Sequence, residues 1–557
     1  MAFLWHNRNS VPLNVERGGH DVEKSIGFQW KYSFALILLG VLVRAGLAFY
    51  VEPFLHWDEA PQAYMAQLIS HGKIAPFVHF QLPYIGAVEQ YPLALLMLLI
   101  GDGVGTVNLF YFVLSIASLC LASLVYSHFF TGGWANLALA LYALGHPLVL
   151  LFSLQGYSFA GLVVLECLIM WLLVSRPPAA WSPQRLLLLG LLNGVSLYNN
   201  ILSIGMLMLS AWHIVSNRNY NWSKVFVVGF TVGYSPMVIF NLANDLMGYK
   251  LLVAKFFGVT KNMLEAYGAT GAVLQGAANK VLGQGPPSDA HLLFAFPRFF
   301  SSGGYVVQVG GLLAVGVAVA CSLFALLKSL DWLRKRVPHK ARYDLLALYI
   351  CALTLAVPAF GQVRYMTVLL IFLPIMVCNG LKYIELRSRP LALGLGSVVV
   401  AYLAFSHIAV LADDAGGMQD EYAPVISFLE KNNLNYGYAS YPFQAYAAFM
   451  SRGQIKISTQ IGPVYIDKLP VFSLEVDDVD DVFYVFPRSG GYTQRLEELG
   501  VTYQHKKIGR WIVVWQFSKR LYPLDILSAR ELARDDGYYR WSYRANPAVM
   551  HMYRGGH

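Results

Sequence analysis

The sequence predicts an α-helical polytopic membrane protein of about eleven transmembrane helices, followed by a C-terminal extracytoplasmic α/β domain. Three observations carry that prediction. Of the 557 residues 56% are hydrophobic and 13% charged, with a mean hydropathy of +0.49, a balance that a water-soluble fold of this size could not hide in its core. Apolar runs approaching the ~20 residues that a spanning helix needs recur through the first three quarters of the chain, separated by short basic loops. From Glu421 onward the texture changes to short amphipathic helical patterns alternating with strand-like runs.

The elements follow in order. Arg8, Arg17, Lys24 and Lys31 precede the first apolar run, too long and polar a leader for a cleaved signal peptide, so that run is expected to stay as an anchor. Spans are expected near residues 32–51, 107–126, 135–154, 159–174, 186–198, 201–215, 225–242, 305–327, 345–360, 366–380 and 391–411. The stretch 84–100 is ambiguous, because its strongly apolar part, Pro92 to Ile100, is short and Glu89 stands before it. The positive-inside rule decides. With the N-terminus in the cytoplasm and 84–100 lying on the outer surface, the basic loops 175–185, 216–224, 328–342 ("KSLDWLRKRVPHKAR") and 382–389 ("KYIELRSR") all fall inside. Counted as a span, it would push them outside. The outer face then holds residues 52–106, 243–304, the turn around Arg364 and everything after Ala412. This gives a membrane module over 1–411 and a soluble domain over 412–557.

In that soluble domain "EYAPVISFLEK" and "QAYAAFM" read as helices, "YGYAS", "QIKIST" and "DVFYVFP" as strands, with "RLEELG" and "WIVVWQF" closing the series. Residues after Lys519 show no clear period. No internal repeat or low-complexity segment is present.

Composition also excludes. The net charge of +9 sits in short loops between apolar runs, where it sets orientation, so nucleic acid is not an expected partner. Cys120, Cys167, Cys321, Cys351 and Cys378 lie inside apolar runs without ligand spacing, which argues against disulfides and a thiolate metal site. The 48 glycines and 14% aromatic residues suit close helix packing and interfacial anchoring.

The candidate chemistry lies on the outer face. "HWDEAPQAYMAQ" places Asp58 and Glu59 just beyond the first span; ordinary solvation of a helix end is the plain alternative to a role. Glu89 in "PYIGAVEQYP" has the same alternative, as a helix cap. Two acidic sites in one extracytoplasmic loop fit a catalytic base and a group that orients substrate. Arg364 in "FGQVRYMTVLLIFLPIM" stands at an outer helix junction, against the positive-inside bias. It either snorkels to headgroups or holds a lipid phosphate with its guanidinium fork. Arg44 and Glu166 lie inside spans, where a contact between them is possible but unsupported by spacing. Lys255, Lys261, His291 and Arg298 in the second outer loop could meet a charged donor or simply be solvated.

Together these residues resemble the GT-C superfamily of polyprenyl-phosphate-sugar-dependent glycosyltransferases, near the protein O-mannosyltransferases and the lipid A aminoarabinose transferases. In that family a "DE" pair follows the first helix and precedes a helix patterned in Tyr, Ala, Ile and Gly; here these are Asp58, Glu59, Tyr64, Ala66, Ile69 and Gly72. Tyr84, Gly86 and Glu89 in "YIGAVEQYP" match a "Y.G..E" form at the surface helix, and Arg364, Tyr365 and Pro374 match a late "RY....P" signature. One departure stands out: aminoarabinose transferases carry a Lys beside the acid where this chain has Gln90. The resemblance implies a GT-C fold in a bacterial inner membrane with its active site facing the periplasm. It implies Asp58 as general base in an inverting transfer from a polyprenyl-phosphate-linked sugar to a hydroxyl on a glycan, lipid or protein acceptor. It further implies that Glu59, Glu89 and Tyr84 contact substrate and that Arg364 with Tyr365 serves the donor phosphate. No cofactor is expected; a divalent ion held by Asp58 and Glu59 is the lesser possibility.

A lipid or sugar transporter is the rival class. Transporters place ionisable groups near the midplane and show repeats with broken helices, whereas this chain keeps most acids at one surface. The threading is testable: cysteines placed at Gly86 and Ser489 are expected to react with an impermeant thiol reagent from outside intact cells or spheroplasts. Protection of either overturns it.

Overall fold

A computed structural model describes residues 19–51, 55, 59–79, 82–130, 132–156, 159–176, 181–216, 220–250, 252, 367–412, 420, 422–459, 470–488 and 492–526. In chain order the helices are α1 (Gly19–Val51), α2 (Ala60–Ser70), α3 (Gln90–Ile100), α4 (Val104–Phe129), α5 (Gly133–Ala143), α6 (Pro147–Ser153), α7 (Ala160–Val174), α8 (Pro183–Asn199), α9 (Ile204–Ser216), α10 (Tyr220–Ala243), α11 (Phe372–Glu385) and α12 (Arg389–Ala412). The C-terminal part continues with α13 (Ala423–Lys431), β1 (Tyr436–Tyr438), α14 (Tyr441–Met450), β2 (Lys456–Ser458), α15 (Pro470–Asp477), β3 (Phe483–Pro487), α16 (Tyr492–Glu498), β4 (Gln504–Ile508), β5 (Trp511–Trp515) and α17 (Pro523–Ile526). The chain divides into two compact units. One comprises residues 1–51, 108–235 and 287–417; the other comprises 52–107, 236–286 and 418–557.

Among the described residues four helices are long and apolar enough to cross a membrane: Lys31–Phe49, Val104–Phe129, Ser223–Ala243 and Arg389–Ile408. Shorter apolar helices cover Gln90–Ile100, Ala160–Val174 and Ile201–Val215. The expected spans 305–327 and 345–360 lie outside the described residues. The expected continuous span 135–154 is two helices, because Pro147 drives His146 out of the helical region, to φ −58° and ψ 130°.

That break frees carbonyls inside the first unit, and two basic side chains take them. Arg44 on α1 donates from Nη1 to the carbonyl of Ala143, the last residue of α5, at 3.1 Å, and to its own Gly40 carbonyl at 3.1 Å. His407 on α12 donates from Nε2 to the carbonyls of Leu144 and Gly145, each at 2.9 Å. A cation at the end of α5 also meets the negative pole of that helix. Arg44 is fully buried; its Nε donates to Ser115 Oγ at 2.9 Å, and its guanidinium lies 5.6 Å from the centre of the Tyr142 ring. The conceivable Arg44–Glu166 contact does not form: buried Glu166 hydrogen-bonds to no described residue.

α8 and α10 pack through glycines spaced four apart on both helices. A Cβ at Gly190 would lie 2.1 Å from the Phe226 carbonyl oxygen and one at Gly194 2.3 Å from that of Phe230. Reciprocally, Gly229 and Gly233 would put a Cβ 2.2 Å and 2.4 Å from the carbonyl oxygens of Leu187 and Leu191. Two backbones in direct contact replace the hydrophobic drive that helices lack in lipid.

In the second unit, residues 420–526 build a five-stranded sheet of order β2-β1-β3-β5-β4. β2, β1 and β3 run parallel; β5 is antiparallel to both β3 and β4. β3 is buried along its hydrophobic length, and Tyr438 stacks on Tyr484 at 5.0 Å beneath the helices. The three sequence-expected strands appear as β1, β2 and β3, and "WIVVWQF" supplies β5, while β4 was not expected: its residues "QHKKI" are mostly exposed on a sheet edge, and charge there protects against edge pairing while erasing the alternating pattern.

Gly194→Leu or Gly229→Leu is expected to force α8 and α10 apart, at a cost of about 1–3 kcal/mol or more. The check is a lowered Tm and reduced monodisperse yield in detergent, with Gly396→Leu, whose nearest neighbours are flexible leucine side chains, as the mild comparison.

Candidate active site

The loop after α1 folds around two helices that begin with acids. Glu59 is the N-cap of α2, its backbone carbonyl accepting from the amides of Gln62 and Ala63 at 3.0 Å each. Pro61 occupies the first turn, where its missing N–H costs nothing. Glu89 is the N-cap of α3, its carbonyl accepting from the Leu93 amide at 3.2 Å. Neither carboxylate hydrogen-bonds the amides of its own helix, so the plain capping alternative does not account for either side chain. Both acids are buried, at 1% and 3% exposure, and both stand at the positive end of a helix, which favours negative charge.

α2 and α3 pack together, and Gln90 Nε2 donates to Gln62 Oε1 at 2.8 Å with both amides buried. Gln62 is one turn beyond Glu59 and Gln90 adjoins Glu89. This bond links the two acid-bearing helix ends. Gln90 is thus a neutral structural tie between the two helices.

Tyr84 is also buried, in the turn that leads into α3. Its segment is closed by a Val78–Gly86 bridge, by the His79 amide on the Ile85 carbonyl at 2.8 Å, and by the Ala87 amide on the Phe77 carbonyl at 3.0 Å. Tyr91 of α3 donates to the Pro76 carbonyl at 3.0 Å, clamping the same segment. On its other face α3 exposes Leu95, Leu98, Leu99 and Ile100, the apolar side of a helix suited to a membrane surface.

Of the expected site residues, then, Glu59, Tyr84 and Glu89 belong to one buried loop core. Asp58, Arg364 and Tyr365 lie outside the described residues, as do Lys255, Lys261, His291 and Arg298. Among the described residues no three His, Cys, Asp or Glu side chains group as metal ligands do. Sequence reading passed over Gln62, His79, Asp102 and Arg452. Of these, His79 is buried in the same loop core and Asp102 stands between two glycines in the turn after α3.

No family model matches the sequence, and no curated protein matches it. Solved structures do match. ArnT from Cupriavidus metallidurans, crystallised with undecaprenyl phosphate, aligns over 86% of this chain and 97% of its own at TM-score 0.56 and 12% identity. The Archaeoglobus fulgidus oligosaccharyltransferase tethered to an acceptor peptide aligns over 89% of this chain and 75% of its own at TM-score 0.50 and 13% identity. At such identities the likeness is one of architecture: the chain shares the overall fold of these two proteins.

Proposed function

We propose that the chain is a membrane glycosyltransferase that moves a sugar from a polyprenyl-phosphate donor to an acceptor hydroxyl on the extracytoplasmic side, with inversion at the anomeric carbon. The observation that carries the reading is the pair of buried acids, Glu59 and Glu89, capping two tied helices in the loop after the first span of a GT-C fold. The undecaprenyl phosphate in the ArnT structure supports the choice of donor class.

In this reading Asp58, one residue before Glu59, accepts the proton of the acceptor hydroxyl as its oxygen attacks the anomeric carbon. The bond from that carbon to the phosphate oxygen breaks, and its electron pair leaves with the lipid phosphate. Arg364, beside Tyr365, holds that phosphate and stabilises its growing charge. Glu59, Glu89 and Tyr84 orient donor or acceptor hydroxyls. The lipid tail is held in the membrane module, residues 1–411, and residues 412–557 form the extracytoplasmic domain, in a bacterial inner membrane.

Asp58→Asn keeps shape and hydrogen bonding but cannot accept the proton, so turnover is expected to fall by about 10²-fold or more with insertion intact. Near-normal turnover removes Asp58 from the mechanism. A donor phosphate held by a bidentate fork is expected to lose affinity in Arg364→Lys and more in Arg364→Ala, with kcat falling as well as KM rising, while Asp58→Asn still binds donor. Unchanged donor affinity in Arg364→Ala sinks the phosphate role. Mass spectrometry of co-purifying lipids checks the class itself: a polyprenyl phosphate or its glycosylated form is the expected finding.

A further inference from the structure

α2, the helix that begins at Glu59, is gripped at its far end by the C-terminal sheet domain. Gln67, 2% exposed, donates from Nε2 to Asp102 Oδ2 at 3.1 Å and to the carbonyl of Phe449, in α14, at 3.3 Å. Arg452, just after α14, donates to the other oxygen, Asp102 Oδ1, at 2.9 Å. His71, at the end of α2, lies 3.6 Å from Asp102 Oδ2. The Asp102 side chain is only 14% exposed, while that of Arg452 is 67% exposed; one largely buried carboxylate joins α2, the turn after α3 and the end of α14.

A second contact lies one turn nearer the acid. Gly453 adopts φ +81°, and a Cβ there would sit 2.7 Å from the Tyr64 hydroxyl oxygen. Tyr64, buried, also packs on Phe472 of α15 at 6.1 Å, and burial together with nearby Glu475 pushes its hydroxyl above its ordinary pKa, which keeps it neutral. Phe472 and Glu475 are in turn fixed by Lys456 of β2.

We propose that the C-terminal domain is a brace for the acid-bearing helix, with Asp102 and Arg452 as positioning residues that hold α2, and so Glu59 at its N-terminus, in place through Gln67 and Tyr64. The role assigned to that acid rests on the glycosyltransferase reading; the brace itself does not. Neither residue touches the reacting atoms. Both are sequence-distant from the acids, which is why only the folded arrangement reveals them.

The test is hydrogen–deuterium exchange on the full-length protein in nanodiscs, read together with turnover. In Arg452→Ala, Asp102→Asn and Gly453→Ala, amides of residues 62–71 are expected to exchange about tenfold or more faster, while β1 and β3 keep wild-type protection. Arg452→Lys, which retains a cation, is expected to restore most of the protection. Turnover with a polyprenyl-phosphate sugar is expected to fall in kcat, since Glu59 is displaced while Asp58 and Arg364 are unchanged. Unchanged exchange of 62–71 in all three variants overturns the brace, as does equal loss of protection in β1 and β3, which would mean plain unfolding of the domain. If the wild-type chain turns over no polyprenyl-phosphate sugar, the proposed activity fails, and the exchange comparison alone then supports or overturns the brace.

Discussion

A chain inside a bilayer has no water to satisfy its backbone, so every amide and carbonyl must find a partner within the protein. The first unit is organised by that constraint. Helices meet it within themselves, and the one described break inside an apolar run, at Gly145 to Pro147, meets it through side chains. Arg44 and His407 come from helices far apart in sequence and converge on three successive carbonyls, Ala143, Leu144 and Gly145. The buried guanidinium looks uncompensated if only acids are counted as partners. Its counter-charge is the carbonyl end of α5, and this is why it needs no contact with Glu166.

The same constraint explains the glycines. Polar backbone sealed inside helices leaves lipid-embedded segments with only packing to hold them together. Gly190, Gly194, Gly229 and Gly233 remove the side chains that would keep α8 and α10 apart. The second unit obeys the opposite regime: its sheet is covered by helices, its edge strand β4 is polar, and its aromatic residues are stacked inside. The loop after α1 joins this regime, burying Glu59, Gln62, Gln67, Glu89 and Gln90. Buried polar groups of this density need defined partners, which makes the loop a fixed platform.

What could be read from the sequence follows the same physics. Spans declare themselves by uniform apolarity, and strands β1, β2, β3 and β5 by β-branched and aromatic runs. The short helix α3 was visible because Glu89 and Pro92 stand at the start of a short apolar run. The break at Pro147 was legible in principle, since a proline biases the preceding residue away from the helix, but the apolar run continues across it and masked the signal. β4 was hidden because exposed edge residues carry no period. The acids Glu59 and Glu89 could be picked out as charges in an apolar setting. Their shared burial could not, because it arises from packing between α2 and α3, with Gln62 bonded to Gln90, that no local pattern records. Asp102 and Arg452 were invisible for the same reason: an aspartate between two glycines reads as a turn, and an arginine after a helix reads as a solvated end.

The Gln62–Gln90 tie also constrains how charge is distributed in the proposed reaction. Gln90 is neutral, and its amide nitrogen is committed to Gln62. The start of α3 therefore brings no cationic side chain at that position, and its neighbour Glu89 adds a carboxylate. A leaving phosphate needs positive charge nearby as its bond to the sugar breaks. In the proposed mechanism that demand falls on Arg364, and the acids and amides of the loop after α1 are suited to neutral sugar hydroxyls. The proposed mechanism therefore divides the labour between side chains that recognise hydroxyl groups and a separate guanidinium that recognises the phosphate.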